Sequence, residues 1–311
     1  MNEINVIYQF NEKYVPYAGV SMTSLLVNNR YEDSVNIYVF GEGLSAESVE
    51  KIKDLVEGYD RRVFFPETFP LLERFRDMGI NPGQGSYSEY LRLFFDELIE
   101  PGVSRIIYLD ADTIVNSSLM PLMDYDLEGK SAGMVLDSSR EYTYDTGIMV
   151  YDVEKWKSGR YGIRLTDHIR SSVNCPADVH EILNTVCADD IARLPAEFDF
   201  QPLHARYSTE QYYKAYGKSG YYSEEELDNS YENIVVYHLV RWLGDLPWNR
   251  GSLHPFTAVF DDYLMISPWK EMEKEREHAG FTNAFRKMFY RILPKPVFIR
   301  LFKTTFKGVK I

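Results

Sequence analysis

Residues 105–112 read Arg-Ile-Ile-Tyr-Leu-Asp-Ala-Asp, an apolar run that ends in two carboxylates. A short apolar run without alternation is typical of a strand that is buried on both faces, as in a parallel sheet. In an open α/β sheet, ligands bind at the carboxyl ends of the strands, and Asp110 and Asp112 follow this strand directly. Two carboxylates at i and i+2 on an extended backbone face the same way, so they can share one cation, or a cation and a sugar hydroxyl.

The residues that precede this stretch alternate apolar runs with helical patterns, as βαβ units do. The pattern predicts strands at 4–10, 35–40 and 62–65, and helices at 17–29 and from Ser45 to Gly58. Between the third strand and a predicted helix at 87–99 lie three prolines and three glycines. Because Pro and Gly interrupt regular structure, we expect residues 66–86 to be irregular and to form a candidate lid.

The residues that follow predict a continuing mixed α/β organisation. Further strands are predicted at 132–136, 147–153 and 234–239, and further helices at 160–171 and 178–186. The tyrosine-rich stretch 207–231 is predicted to be irregular and is a candidate acceptor platform. No repeat and no linker precede residue 265, so we expect one catalytic domain at 1–265 and a separate tail at 266–311.

The Asp-x-Asp motif alone leaves other functions open. An EF-hand loop is excluded, since Ile114 and Val115 stand where that loop needs a ligand and a glycine. A haloacid-dehalogenase-type phosphatase is the main alternative, because its nucleophilic Asp follows an apolar strand and has a second Asp two residues later. That family expects Thr or Val where Ile114 stands, and it places the motif near the beginning of its domain.

Several ordered motifs surround Asp110 and Asp112. Tyr90-Leu-Arg92 precedes them, Leu119-Met-Pro121-Leu follows, and residues 144–156 read Tyr-Asp-Thr-Gly-Ile-Met-Val-Tyr-Asp-Val-Glu-Lys-Trp. Val235-Val-Tyr-His238 and Gly244-Asp-Leu-Pro-Trp248 come later. Together these motifs resemble those of glycosyltransferase family 8, over about residues 5–248.

The resemblance implies a GT-A-type, Rossmann-like mixed sheet flanked by helices, with a helical C-terminal tail. It also implies a retaining hexosyltransferase that moves glucose or galactose from a UDP-sugar to a hydroxyl group of a glycan or glycolipid. Asp110, Asp112 and His238 correspond to the metal ligands of the family. Two carboxylates and an imidazole suit Mn²⁺ better than an all-oxygen set would, although Mg²⁺ remains possible.

The resemblance further assigns two groups of residues around the donor. The residues expected to bind the nucleotide or its phosphates are Asn11, Lys13, Tyr14, Arg92, Asp110, Ala111, Asp112, Gly244 and Trp248. The residues expected beside the donor sugar and the reacting carbon are Asp137, Asp145, Asp178 and His180. Tyr14 is expected to stack on uracil, and Asp137 to bind hydroxyl groups of the sugar.

The chain departs from the family pattern at four places. Asn11-Glu-Lys13 replaces Asp-Asp-Asn, Asp145 replaces Asn, and Val179-His-Glu181 replaces Asp-Gln-Asp. Leu246 stands where a phosphate-binding Lys is expected, so Arg241 or Arg250 is the candidate cation. These departures leave a UDP-sugar-binding protein without turnover as a second alternative.

Charge divides the chain into two parts. The formal net charge is −13, which argues against a nucleic-acid partner for the whole surface. Residues 279–311 nevertheless contain eight Lys and Arg and no acidic residue, interleaved with bulky apolar side chains. This pattern is typical of a segment that lies on an anionic membrane. With only two cysteines, no apolar run near the length of a membrane span and no signal-peptide pattern, we expect a cytoplasmic protein, peripheral on the inner face of the membrane.

Overall fold

The computed structural model describes residues 2–80, 86–139, 141–171, 178–276 and 281–302. Two sheets are present in these ranges. The strands are β1 (Glu3–Asn11), β2 (Ser34–Glu42), β3 (Arg62–Phe64), β4 (Arg105–Asp110), β5 (Thr113–Val115), β6 (Ala132–Leu136), β7 (Tyr144–Asp152), β8 (Ile191–Leu194) and β9 (Val236–His238).

The main sheet has the strand order β3-β2-β1-β4-β7-β6-β8. Strands β3, β2, β1 and β4 are mutually parallel, as expected for successive βαβ units. Strand β7 runs antiparallel to both β4 and β6, and β6 pairs in parallel with β8. The predicted mixed α/β sheet is therefore confirmed. A separate antiparallel pair, β5 with β9, lies at the end of β4.

Helices cover both faces of the main sheet. The α-helices are α1 (Val15–Asn28), α2 (Ala46–Glu57), α3 (Phe69–Asp77), α4 (Met120–Met123), α5 (Val153–Ser158), α6 (Tyr161–Ser171), α7 (Val179–Val186), α8 (Pro202–Arg206), α9 (Thr209–Tyr216), α10 (Glu224–Glu232), α11 (Thr257–Ile266), α12 (Phe281–Ile292) and α13 (Lys295–Phe302). The described ranges also contain 3₁₀-helices at Glu12–Tyr14, Tyr87–Glu97 and Ala196–Phe198.

The hydrophobic core consists of two layers separated by the main sheet. Val6 and Tyr8 of β1 point to the layer that contains α1, α2 and α11, whereas Ile7 points to the layer that contains α3, α6 and α7. The alternation follows from the strand, in which successive side chains face opposite sides. With both faces covered, the carboxyl ends of β1 and β4 are left as an open edge where side chains can meet a ligand.

The prediction that residues 66–86 are irregular is wrong for residues 69–77. Residues 69–77 form α3, whose Leu71 and Phe75 are buried against the sheet. Pro70 lies in the first turn of this helix, where its missing N–H would be unpaired in any case, so it begins the helix rather than breaking it. Residues 81–85 of the predicted lid lie outside the described residues.

The prediction that residues 207–231 are irregular is also wrong. Residues 209–216 and 224–232 form α9 and α10, and each helix begins with a capping box, from Ser208 and Ser223 respectively. Most of the tyrosines in this segment are buried, among them Tyr212 and Tyr222. They pack the core and do not form an exposed aromatic platform.

The C-terminal helices α12 and α13 pack on the rest of the molecule through one face. Tyr290 contacts the ring of Trp242 edge-on at 5.8 Å, and the buried Phe298 contacts Tyr290 at 5.2 Å. The opposite face exposes Phe285, Met288 and Ile292. Residues 277–280 and 303–311 of the predicted tail lie outside the described residues, as does Cys175. No helix in the described ranges has the length and apolar character needed to cross a bilayer.

Candidate active site

Asp110, Asp112 and His238 lie together at the carboxyl edge of the main sheet. Asp110 ends β4, and the short β5–β9 pair places His238 opposite Thr113. The backbone N–H of Leu239 donates to the carbonyl oxygen of Asp112 at 2.8 Å, which fixes the end of β9 against the Asp-x-Asp turn. Residues more than a hundred positions apart are thus joined by one local strand pairing.

The carboxylate of Asp110 is oriented by two neighbours. The hydroxyl of Tyr108 donates to Oδ1 at 2.6 Å, and Nη1 of Arg92 lies 3.4 Å from the same oxygen. The other oxygen, Oδ2, faces Nε2 of His238 at 3.8 Å. Arg92 is buried and also donates to the carbonyl oxygen of Thr146 at 3.1 Å. The structure therefore places Arg92 behind Asp110, where it fixes one carboxylate oxygen and leaves the other directed into the site.

The two ring nitrogens of His238 have different partners. Nδ1 lies 2.9 Å from Oδ1 of Asp199, a hydrogen-bond distance, and Nε2 faces Asp110 Oδ2 and Asp112 Oδ1 at 3.8 and 3.7 Å. A carboxylate on one ring nitrogen is the usual arrangement for a histidine that binds a metal through the other. Sequence reasoning missed Asp199. Asp199 stands between Phe198 and Phe200, and no motif in this stretch of sequence identifies it as a functional residue.

The four carboxylates around His238 favour a positive charge at this point. Burial alone would lower the pKa of His238, but Asp199, Asp112 and Asp145 raise it well above its ordinary value. Burial raises the pKa of Asp199 to about 7, with a further contribution from Asp145. Burial also raises the pKa of Asp110. The same field that attracts a proton to the imidazole in the absence of a metal would attract a divalent cation to Asp110 and Asp112.

Gly147 of β7 is required by the close packing of this cluster. A Cβ atom added there would lie 2.2 Å from Cε1 of His238 and 3.0 Å from Oδ2 of Asp110. Contacts under 3.0 Å are not compatible with an undisplaced imidazole. The glycine of the Tyr-Asp-Thr-Gly motif thus provides the space in which His238 sits.

Asp145 lies on the other side of His238 and is held by neutral donors. Its Oδ1 accepts the backbone N–H of Gly147 at 2.8 Å, and its Oδ2 accepts Nε2 of Gln201 at 2.9 Å. Burial would raise the pKa of Asp145, but His238, His180 and the N–H of Gly147 together lower it. Gln201 also accepts a hydrogen bond from Ser138, so it connects Asp145 to the loop after β6.

His180 and Asp178 lie beside this cluster at the start of α7. Nδ1 of His180 is 2.6 Å from the hydroxyl of Thr146, and Asp178 caps the helix by accepting the N–H of His180 at 2.9 Å. Tyr142 stacks on the His180 ring at 5.7 Å and donates to Asp178 at 2.7 Å. These residues form a half-buried wall next to Asp145.

Asp137 has a different environment from the other predicted residues. Its carboxylate accepts the backbone N–H groups of Ser139, Glu141 and Tyr142 at 2.8, 2.8 and 2.9 Å, and the hydroxyl of Ser139 at 2.8 Å. Its carboxylate is therefore engaged by the loop that carries Tyr142. Burial raises the pKa of Asp137, and Asp145 raises it further.

Near the start of α1, three aromatic residues pack against one another in a row. Trp248 is buried and stacks on Tyr17 at 4.1 Å, and Tyr17 meets Tyr14 edge-on at 5.8 Å. Tyr14 is only half buried. Burial raises the pKa of Tyr14, and Asp112 raises it further, whereas Arg241 lowers it. Tyr14 is thus close enough to Asp112 and Arg241 to be affected by both charges, and Trp248 packs behind it through Tyr17.

Asn11 and Lys13 flank this aromatic group at the end of β1. The side chain of Asn11 accepts the backbone N–H of Lys13 at 3.1 Å and so caps the following 3₁₀-helix, while the side chain of Lys13 is exposed. Ala111 lies between the two carboxylates and is buried.

Of the two candidate cations near the missing lysine, Arg241 lies on the turn that follows β9, whereas Arg250 is bound to residues 273 and 274. Arg250 donates to the carbonyl oxygen of Lys274 at 2.9 Å and pairs with Glu273 at 3.1 Å. Arg241 donates to the carbonyl oxygen of Gly244 at 3.1 Å across a tight turn. Leu246 is buried, so it offers no group to a phosphate.

The donor set fits a divalent cation. One ligand atom from each of Asp110, Asp112 and His238 lies within 4.8 Å of the other two, close enough for all three to contact one ion. The hydrogen bond from Nδ1 to Asp199 leaves the lone pair of Nε2 directed at the carboxylates once the ring is neutral.

The family model described as "Glycosyl transferase family 8" matches residues 5–250. The chain belongs to glycosyl transferase family 8. It is 23% identical to a lipopolysaccharide 1,2-glucosyltransferase of Escherichia coli over 93% of this chain and 85% of the relative. It is 28% identical to the glycosyltransferase GlyF of Streptococcus pneumoniae over 89% of this chain and 65% of GlyF.

Solved structures show the same fold for this glycosyltransferase. The galactosyltransferase LgtC, solved in complex with donor and acceptor sugar analogs, superposes with a TM-score of 0.66 at 18% identity. The match covers 85% of this chain and 96% of LgtC. The GT-A-type fold predicted from the motifs is confirmed, and the chain is an enzyme that transfers a glycosyl group. The comparisons favour neither the phosphatase nor the binder without turnover.

Proposed function

We propose that this glycosyltransferase moves a hexose, glucose or galactose, from a UDP-sugar to a hydroxyl group of a glycan or glycolipid. The observation that carries the proposal is the convergence of Asp110, Asp112 and His238 at the carboxyl edge of the sheet. The half-buried ring of Tyr14 is near enough to Asp112 and Asp110 for both carboxylates to raise its pKa. An aromatic ring next to a cation site suits a nucleoside diphosphate: the ring can stack on the planar base, and the cation can bind the negatively charged diphosphate.

Mn²⁺ is the proposed cation, with Mg²⁺ as a weaker substitute, because one ligand is an imidazole nitrogen. When bound, the ion neutralises the negative charge that develops on the departing diphosphate. Arg241 is proposed to take the role of the missing lysine, because it lies on the turn that follows His238 and its charge lowers the pKa of Tyr14. Tyr14 stacks on uracil, and Asn11 and Lys13 lie near the edge of the base.

The donor sugar is proposed to lie against Asp145, His180 and Asp178, with the Asp137 loop closing one side. Both oxygens of Asp145 already accept hydrogen bonds, so Asp145 is poorly placed to attack the sugar as a nucleophile. This supports retention by a same-face route, in which the departing phosphate accepts the proton of the acceptor hydroxyl.

Release of UDP from a panel of UDP-sugars, with and without Mn²⁺, tests the proposed function. We expect turnover of one UDP-hexose that depends on a divalent cation, and a large loss in Asp112→Asn. Full turnover by Asp112→Asn would contradict the metal assignment. Release of phosphate from a phosphomonoester without any nucleoside would instead support phosphatase chemistry.

We also propose that residues 266–311 form a separate functional segment that holds the enzyme on an anionic membrane, at the cytoplasmic face. The outer face of α12 and α13 exposes Phe285, Met288, Ile292, Val297 and Leu301. Basic residues flank these apolar side chains. Each Lys or Arg close to an anionic membrane surface contributes roughly 1 kcal/mol to the binding free energy. A lipid-linked acceptor would be found at such a surface.

Co-sedimentation with vesicles of phosphatidylcholine and phosphatidylglycerol tests the membrane proposal. We expect Phe285→Asp with Ile292→Asp to reduce binding strongly, because both side chains lie on the exposed face. Phe69→Asp with Ile163→Asp is the matched control, since both are exposed bulky apolar side chains outside residues 266–311. Equal loss of binding in the two double variants would contradict a role specific to the tail.

A further inference from the structure

The segment that follows His238 makes a tight turn before the chain returns to the core. Trp242 and Asp245 exchange two backbone hydrogen bonds of 2.9 Å, and the two residues between them, Leu243 and Gly244, have φ angles of 53° and 88°. Two positive φ values are the mark of a type I′ turn, which glycine tolerates and leucine does not favour. The turn is therefore held in a costly conformation by its surroundings.

One of those surroundings is an ion pair with the C-terminal helix α12. Nζ of Lys287 lies 2.5 Å from Oδ1 of Asp245, and the side chains are 12% and 1% exposed. The other oxygen of Asp245 accepts the backbone N–H of Leu253 at 2.9 Å. A carboxylate this deeply buried is stable only with a cationic partner or several donors, so Lys287 is a structural requirement of the turn.

The turn is continuous with the proposed metal and donor sites. Six residues separate His238 from Asp245, and Leu239 within them is bonded to the backbone of Asp112. Arg241 reaches across the turn to the carbonyl oxygen of Gly244. Any shift of the turn would therefore move the guanidinium of Arg241 relative to Asp112.

We propose that Lys287 is a positioning residue of the donor site: through Asp245 it fixes the turn that presents Arg241 to the diphosphate. The C-terminal helix then has two functions on two faces. Its inner face, with Lys287 and Tyr290, completes the donor site, whereas its outer face is available to a membrane. The inference rests on the proposed UDP-sugar function, and it adds that removal of the tail impairs the donor site even without a membrane.

The backbone holds this segment beside the Asp-x-Asp motif, since Leu239 donates to Asp112 and His238 faces both carboxylates. The charge of Arg241 also lowers the pKa of Tyr14, while that of Asp112 raises it. Arg250, the alternative cation, is bound to residues 273 and 274 instead.

Binding of UDP with Mn²⁺ to the full chain, measured by calorimetry, tests the proposal. We expect Lys287→Met to weaken UDP binding by about tenfold or more, because the unpaired Asp245 disturbs the turn. Hydrogen exchange should become faster at the amides of residues 239–246 and stay unchanged at those of β4. In steady-state assays the KM for the donor should rise more than kcat falls.

Arg291→Met is the matched control, since it removes the same charge from an exposed position of the same helix. We expect it to keep the UDP affinity of the unchanged protein within about twofold. If Lys287→Met binds UDP as well as the unchanged protein, or if Arg291→Met is weakened to the same extent, the proposal is overturned. If the unchanged protein binds no UDP, the proposed function fails instead, and faster exchange at 239–246 in Lys287→Met still supports the positioning role.

Should Lys287→Met not fold, the pair Asp245→Asn with Lys287→Met removes the buried charge and restores a neutral acceptor for Leu253. We expect this double variant to fold and still to bind UDP weakly, because the lysine no longer fixes the turn. Full UDP affinity in the double variant would overturn the proposal.

Discussion

The imidazole of His238 shows how one side chain depends on partners that lie far away in sequence. Asp199 accepts one ring N–H, Gly147 provides the space, and Asp110 and Asp112 face the second nitrogen. The Asp-x-Asp motif was predicted from a strand followed by two acids. Asp199 was not, because a buried aspartate in an irregular segment has no pattern until the chain folds around it.

Asp199 is predicted to set the affinity for the metal. Asp199→Leu should weaken Mn²⁺ binding by about tenfold to a hundredfold, since the ring loses the acceptor that orients it. Asp199→Asn keeps an oxygen that can accept the hydrogen bond of the ring, so its Mn²⁺ affinity should fall less than that of Asp199→Leu. Calorimetric titration with Mn²⁺ measures both, and equal Mn²⁺ affinity in Asp199→Leu and the unchanged protein would contradict the role given to Asp199.

Gly147→Ala is predicted to displace His238. The added Cβ would lie 2.2 Å from the ring, so we expect a loss of about 1 to 3 kcal/mol in unfolding free energy and weaker Mn²⁺ binding. Gly162→Ala is the control, because nothing lies within 4 Å of its Cβ position and alanine favours the helix. Thermal unfolding and Mn²⁺ titration distinguish the two variants. Unchanged Mn²⁺ binding in Gly147→Ala would contradict the packing argument.

At the scale of the element, hydrophobic pattern predicts most of the strands, whereas α3, α9 and α10 lie in stretches that it predicts to be irregular. Pro70, which on pattern alone indicates a break, lies in the first turn of α3 and begins the helix. The many tyrosines of 207–231 hid two capping boxes that begin α9 and α10. Strands β5 and β8 were not predicted, because three or four residues carry too little pattern.

The capping box of α10 leads to a prediction about stability. The hydroxyl of Ser223 accepts the N–H of Glu226 at 3.2 Å, and Glu226 accepts the N–H of Ser223 at 2.7 Å. Ser223→Ala should lower the free energy of unfolding by about 1 kcal/mol. Asn229→Ala, at an exposed position of the same helix, should change it by less than about 0.5 kcal/mol. Denaturant titration measures both, and equal effects would argue against the cap.

At the scale of the whole molecule, pH should affect stability through His254, which is buried in the neutral form. Nε2–H donates to the carbonyl oxygen of Val240 at 2.9 Å, and Nδ1 accepts the N–H of Phe256 at 3.2 Å. Burial lowers the pKa of His254 to about 4. Because the ordinary value is near 6.5, the unfolded chain binds the proton first as the pH falls.

The stabilisation from neutral His254 is therefore complete above about pH 6.5 and is lost as the pH falls towards 4, by up to about 3 kcal/mol. Unfolding free energies of the unchanged protein and of His254→Gln, measured from pH 8 to pH 4 with a chelator, test this. The unfolding free energy of the unchanged protein minus that of His254→Gln should be constant above pH 7 and should become smaller below pH 6.5. A constant difference down to pH 4 would contradict it.

The sequence by itself determined the α/β class, the family, the Asp-x-Asp strand and the basic, apolar C-terminal end, because these depend on local pattern and on the order of motifs along the chain. Only the tertiary structure decided which groups surround His238, that Arg250 is bound to residues 273 and 274, and that Lys287 lies against Asp245. Such contacts depend on strand pairing and helix docking between distant residues, and local pattern carries no information about them.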